Sequence, residues 1–198
     1  MSFTQWVVES LMIGAQIYKT TFLDYDYLVY SSEFVDNPYY IISSREYNFA
    51  HLTGVRSLIP SYDFYVACIN GTVKETDFNF IDRYNDEKSV KGTVRRKLKC
   101  ILSVSDFFSY KLQAEENFVK GKVHCCLASA NARVTMGFIE SGKIFPKTML
   151  KGNCLNLGKA VDISLVLRRE RGANQFDKIL YGDIVPILTA QACKFGNQ

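Results

Sequence analysis

The chain has 198 residues, with 24 Lys and Arg against 20 Asp and Glu, 47% hydrophobic and 14% aromatic residues, and four prolines. At 22% charged it is neither a disordered tail nor a fibrous repeat. A chain this long can bury about 70% of its unfolded surface, so no disulfide or metal staple is required for folding. No stretch approaches the ~20 apolar residues of a membrane helix, and Met1 to Tyr18 lacks a basic leader; no membrane partner is expected, and the expected location is the cytosol.

The six cysteines (Cys68, Cys100, Cys125, Cys126, Cys154 and Cys193) contain no Cys-x-x-Cys pair, and two histidines provide no zinc spacing. They are expected to be reduced, mostly buried thiols, with no metal or other cofactor. The net charge of +4 is small, but its distribution is uneven. Lys88, Lys91, Arg95, Arg96, Lys97 and Lys99 cluster in one stretch, and the C-terminal portion adds Lys143, Lys147, Lys151, Lys159, Arg168, Arg169, Arg171 and Lys178. Such asymmetry fits a polyanion or an acidic partner; it also fits solvated surfaces.

In chain order, residues 4–20 are predicted helical, with Trp6, Ile13 and Ile17 on one side and Val7, Leu11 and Tyr18 nearby. Leu23, Tyr25, Tyr27 and Val29 alternate with Asp24 and Asp26 as a half-buried strand. Asn37-Pro38 breaks the chain before a short extended piece at Tyr39 to Ile42. Ser43 and Glu46 have capping-box spacing, predicting a helix from there to about Leu52 that stops at Gly54. Ser61 and Asp63 open a short helix ending at Asn70-Gly71, and Phe78 and Phe80 mark a brief strand. Val90, Val94, Leu98 and Leu102 recur every fourth residue in an amphipathic helix whose other face is basic. After Gly121 the period becomes two: around Val123 to Leu127, Val134 to Phe138 and Val161 to Leu167, with Phe176 to Tyr181 paired back across Gly172-Ala173-Asn174. Helices first and strands later predict an α+β domain with an antiparallel sheet.

No phosphate-binding loop, dinucleotide fingerprint, His-x-x-x-His pair or Gly-x-Ser-x-Gly elbow occurs. Tyr47 and His51 fall one turn apart on a predicted helix, and the carbonyl end of that helix favours a charged imidazole. A histidine that titrates near neutrality suits proton transfer at a ribose hydroxyl, or it simply caps the following loop. Lys147 and Thr148, after Pro146, are predicted on a turn where ammonium and hydroxyl could together hold a phosphate, although such a pair also suits an ordinary turn. Arg168 and Arg169 end a strand and point to opposite faces; Arg133 and Thr135 share a polar strand face.

The run Tyr40-Ile41-Ile42-Ser43-Ser44-Arg45-Glu46-Tyr47-Asn48-Phe49-Ala50-His51-Leu52-Thr53-Gly54-Val55 resembles the opening signature of a phage-associated nuclease-like family of the Barnase–EndoU–Colicin–RelE superfamily, in a branch carrying His-Leu-Thr-Gly. Thr135 to Ile139 and Phe145-Pro146-Lys147-Thr148-Met149-Leu150 resemble its second block, with Thr148 where a serine is more usual. The resemblance spans roughly residues 38–185 and implies a nuclease-like domain over 38–198 with 1–37 as a helix–strand extension, both parts forming one compact unit. It implies N-terminal helices packed on a curved antiparallel sheet, and metal-independent cleavage of RNA by the 2′-hydroxyl. His51, Thr53, Lys147 and Thr148 carry over from the blocks, with Arg45 on the same helix. Arg168 joins the catalytic set from strand position and charge. Tyr47, Lys178, Tyr181, Arg95 and Arg96 complete an RNA-contacting set, and RNA is the expected partner. Two other readings use the same features: a non-catalytic inhibitor of a host defence complex, with a host protein or antitoxin as partner, and a nucleic-acid-binding regulator that does not cleave.

Overall fold

The computed structural model describes residues 1–82, 86–141 and 143–183, so Cys193 lies outside the described residues. Helix α1 (Phe3–Tyr18) opens with a capping box between Ser2 and Gln5 and runs into a π-helical turn at Lys19–Leu23. Its buried stripe is Val7, Leu11, Ala15 and Tyr18, all fully buried, whereas Ile13 is 55% exposed. Strands β1 (Tyr25–Tyr30) and β2 (Tyr40–Ile42) follow, then helix α2 (Asn48–Thr53). The capping box expected at Ser43 does not form: α2 starts five residues later without a side-chain cap, because the Ser43 amide bonds the Ile144 carbonyl and continues the sheet. Gly54 ends α2 at φ 77°, as its position predicts.

The two-residue strands β3 (Arg56–Ser57) and β4 (Phe78–Asn79) pair around helix α3 (Ser61–Ile69). Helix α4 (Glu87–Ile101) is capped by Asp86 and buries Val94 and Leu98 of the predicted four-residue recurrence together with Cys100 and Ile101, while Val90 and Leu102 are half-buried. The remaining strands are β5 (Gln113–Lys120), β6 (Val123–Ala130), β7 (Val134–Ser141), β8 (Lys143–Lys151), β9 (Val161–Asp162), β10 (Leu165–Glu170) and β11 (Lys178–Gly182).

Nine strands form one strongly curled sheet in the order β11-β10-β1-β2-β8-β7-β6-β5-β9. All its pairings are antiparallel except β2 with β8, which run parallel through Ile42 and Ile144, so the sheet is mixed. One face joins the helices in the main core, where Val29, Ile42, Met136, Phe138, Ile144 and Met149 meet the buried stripes of α1 and α4. The other face carries smaller clusters around Leu28, Leu165 and Leu167, and around Phe118, Cys125 and Leu155. Residues 1–37 are thus built into both layers: α1 lies in the core, and β1 sits between β10 and β2.

Two further expectations change. Strand β1 is not half-buried, since both of its faces are covered along Asp26 to Val29. Arg133 lies outside β7, and Thr135 is fully buried, its hydroxyl donating to the Gly152 carbonyl and accepting from the Cys154 amide. The five described cysteines are free thiols, with Cys68, Cys100 and Cys125 buried. Burial pushes Cys68 up to about 12 and Cys125 up to about 11, which marks them as packing groups rather than activated thiolates. Among the described residues, no helix is long and apolar enough to cross a membrane.

Candidate active site

The segment His51-Leu52-Thr53-Gly54 divides its work by residue. Leu52 is fully buried in the core. Thr53 is fully buried as well; its hydroxyl donates to the Ala50 carbonyl at 2.7 Å and accepts from the Val55 amide at 3.3 Å, which fixes the turn that leaves α2. Gly54 supplies the left-handed turn, and a Cβ there would lie 2.8 Å from Cδ of Lys97. His51 remains exposed at the surface of α2.

Lys97 of α4 reaches under this turn and donates from Nζ to the His51 carbonyl at 3.0 Å. His51 and Lys97 line a cleft of about 490 Å³ with Gly54, Arg56, Asp82 and Thr93. The His51 pKa is lowered from its ordinary value, first by partial desolvation of the ring against the protein and then by the positive charges of Lys97 and Lys147. That overturns the expectation of a helix-end histidine held in its charged form: α2 spans only six residues, and an ammonium already occupies its carbonyl end. Burial also lowers the Lys97 pKa.

Lys147 and Thr148 are not on a turn but inside strand β8, against which α2 and α4 both pack. The register shifts there: Phe138 faces Pro146 and Gly137 faces Thr148, so Lys147 is the extra residue of a β-bulge. The bulge explains how a proline sits within an inner strand, and it frees Lys147 from the alternation of its neighbours. Its Nζ crosses to the His124 carbonyl at 3.0 Å. Thr148 is 6% exposed, and its methyl group would lie 3.0 Å from a Cβ added to Gly137. Neither Thr53 nor Thr148 therefore offers an open hydroxyl to a ligand.

Arg168 is not brought to His51. It sits on β10, three places from β8 in the sheet, roughly 14 Å at the usual strand spacing, with its guanidinium 3.9 Å over the Tyr25 ring. Lys178 is its partner across β11, and Tyr181 lies opposite Val166, partly packed on the core. Arg45 and Tyr47 precede α2 side by side, Nη1 of Arg45 donating to the Tyr47 hydroxyl at 2.7 Å while its guanidinium covers the Phe145 ring at 4.7 Å. On α4, Arg95 lies 5.1 Å over the Phe3 ring, whereas Arg96 donates to the hydroxyl of Thr93 at 3.1 Å and so stands at the rim of the cleft. Of the predicted residues, Lys147 comes within electrostatic reach of His51 and Arg96 bonds Thr93 of the cleft wall, while the structure adds Lys97, which the sequence placed only in a basic cluster. Its one sequence signal is position: Lys97 is three residues after Val94, at the border of the apolar stripe, where a lysine stem packs and its head emerges.

A larger hollow of about 620 Å³ lies between the π-helical turn, α3, β1 and the end of β10, and His51 does not line it. Two ion pairs close within its walls, Lys19 with Asp24 at 2.8 Å and Arg171 with Glu46 at 3.6 Å. Among the described residues, no group of three or more His, Cys, Asp or Glu converges in a way that could hold a metal ion.

A family model described as phage-Barnase-EndoU-ColicinE5/D-RelE like nuclease4 matches residues 10–154. The chain belongs to this family of nuclease-like proteins. The match takes in the second half of α1, β1 and both blocks that carry His51 and Lys147. No curated protein and no solved structure matches the chain.

Proposed function

We propose that this nuclease-like protein cleaves RNA by transesterification at the 2′-hydroxyl, with the His51 cleft as its active site. The observation that carries the reading is a histidine of lowered pKa whose carbonyl takes the Lys97 ammonium and whose ring lies in the field of Lys97 and Lys147, three groups drawn from three separate elements. A neutral imidazole is a base at pH 7. His51 takes the proton of the 2′-hydroxyl, the 2′-oxygen attacks the adjacent phosphorus, and the bond to the 5′-oxygen breaks to leave a 2′,3′-cyclic phosphate. Lys147 meets the charge that builds on the phosphorane oxygens; preorganised donors of this kind contribute about 3–4 kcal/mol. Lys97, whose proton burial loosens, returns a proton to the leaving 5′-oxygen. Thr53 and Gly54 act as positioning residues for His51. Arg45, Tyr47 and Arg96 remain RNA contacts in this scheme, while Arg168, Lys178 and Tyr181 are too far around the sheet to share the chemistry.

The test is incubation of purified protein with labelled total RNA in EDTA, wild type beside His51→Ala and Lys147→Met. The expected result is products ending in 2′,3′-cyclic phosphate, formed about 10²–10⁴-fold more slowly by His51→Ala. A His51→Ala protein that cleaves as fast as wild type removes the mechanism. A second reading, a non-catalytic inhibitor of a host defence complex, draws on the burial of Thr53 and Thr148. Intact RNA together with a stoichiometric host-protein complex that survives His51→Ala would establish it instead.

A further inference from the structure

Helix α4 links the His51 cleft to two more hollows. Beyond Lys97, a hollow of about 380 Å³ is lined by Lys99, Cys100, Ser103, Arg133 and Lys151. It shares Ser103 and Arg133 with a third, of about 480 Å³, which reaches Tyr110 and Lys111. The first two neighbour each other on α4, where Lys97 of the first and Cys100 of the second are three residues apart and so share a helix face. Lys111 is paired with Asp162 at 2.6 Å, and Asp106 adds one acid to the third hollow. By contrast, none of Lys97, Lys99, Arg133 and Lys151 makes an ion pair among the described residues. Asp82 adds one acid to the first hollow, and four cations without an ion pair, spread over hollows that follow one another along α4, call for an anion that is itself extended.

We infer that these hollows form a track for single-stranded RNA running from His51 along α4 to Tyr110. This rests on the ribonuclease reading and adds to it the form of the substrate and the path it takes. From Thr93 to Ile101, where α4 ends, the helix rise of 1.5 Å per residue spans about 12 Å, room for about three nucleotides at a stacked spacing of about 3.4 Å. Tyr110 is 60% exposed at the far end, where an unpaired base can stack on it. In a duplex that base is already stacked inside the helix, so Tyr110 selects a single strand. An acidic protein segment would match the charge but has no use for an exposed ring placed beyond the cations.

The experiment measures binding of a fluorescein-labelled 2′-O-methyl RNA 12-mer, which cannot be cleaved through its 2′-oxygen, across a salt series. Wild type is compared with the triple variant Lys99→Gln/Arg133→Gln/Lys151→Gln, with Tyr110→Ala, and with a control that removes three exposed charges elsewhere, Lys120→Gln/Lys122→Gln/Lys159→Gln. The triple variant is expected to lower the slope of log affinity against log salt by about 2, from about 0.7 per lost phosphate contact. Tyr110→Ala is expected to weaken binding roughly tenfold, and the control to change neither. Wild type that cleaves RNA yet binds the 12-mer no better than the triple variant overturns the track and leaves the ribonuclease reading standing. Equal losses in the control, equally tight binding of a duplex, or equal competition by polyglutamate also overturn it. If wild type neither binds the 12-mer nor cleaves RNA, both readings fall together. All these positions are exposed, and unchanged thermal melts verify that each variant is folded.

Discussion

His51 offers its carbonyl to one lysine and its ring to the field of two. The carbonyl end of a helix ordinarily favours a cation on its last turn. In this chain that place is taken by Lys97, from 46 residues further along, so the ring feels the ammonium rather than the dipole. Desolvation of the ring first, and then the charges of Lys97 and Lys147, hold its pKa in the folded chain below the ordinary 6.5 of the unfolded one. The sign follows: above 6.5 the ring is neutral in both states and nothing is lost, while on acidification the unfolded chain takes up the proton first and stability falls. Proton NMR of the two histidines, assigned with His124→Gln, is expected to show a His51 midpoint below 6.5 that rises in Lys97→Met. A midpoint at or above 6.5 in the wild type would contradict the site as drawn. The acid limb of RNA cleavage should follow the same midpoint in both proteins. The chain order marks His51 as unusual but gives the wrong direction for its titration, because a local helix argument contains nothing about a lysine on another element.

Among the strands, Asp26 on β1 shows how far alternation can be trusted. The period of two places Asp26 on the face opposite Tyr27 and Val29, as observed, but says nothing of what covers that face. The cover is Lys143 on β8 and Arg169 on β10, whose side-chain nitrogens lie 2.9 and 3.0 Å from Asp26 Oδ2, while Oδ1 is buried without a hydrogen-bond partner. Burial raises the carboxyl pKa, yet the hydrogen bonds and charges of Lys143 and Arg169 lead the effects that more than offset it, and the net direction is downward. The associated stability is present above the unfolded carboxylate value and is lost as the pH falls through the lower folded one. Arg169→Met leaves a carboxylate 3% exposed beside a lysine that is itself 40% exposed and screened. It is expected to cost about 3–5 kcal/mol by urea unfolding, with part regained when Asp26→Asn is added. An unchanged urea midpoint would show the triad to be energetically idle. Strand β5 was illegible for a related reason: Gln113-Ala114-Glu115-Glu116-Asn117 has no apolar alternation, and Asn117 sits at φ 53°. Its place comes instead from the β6 ladder and from Glu115 and Glu116, which accept backbone amides of other loops. Pro146 misled in the opposite way, since a proline suggests a break and the bulge absorbs it.

At the scale of the molecule, local pattern accounts for the hairpins β6–β7 and β10–β11, but not for β5 and β8 beside the first or for how the two hairpins join. The joint is β1 with β2, which antiparallel pairing ties to β10 and a single parallel step ties to β8. Such long-range choices are set by the core they close, and α1 fills much of that core. Tyr18 packs its ring against Phe22, Phe49 and Tyr65 and donates its hydroxyl to the Arg45 carbonyl at 2.9 Å, so the first helix also holds the segment leading into α2 and His51. Removing residues 1–18 strips the fully buried Val7, Leu11 and Tyr18 from the core. At about 1.5–3 kcal/mol for each large side chain, that loss is comparable with the ~5–15 kcal/mol that stabilises a typical domain. The truncated chain is expected to lose its near-ultraviolet circular dichroism and its cooperative melt, along with RNA cleavage. The milder Leu11→Ala, expected to cost about 2–5 kcal/mol, should still melt cooperatively at a lower temperature. If the truncated chain instead melts as the full one does, α1 is an appendage, and the geometry at His51 must be fixed by α4 and the sheet alone.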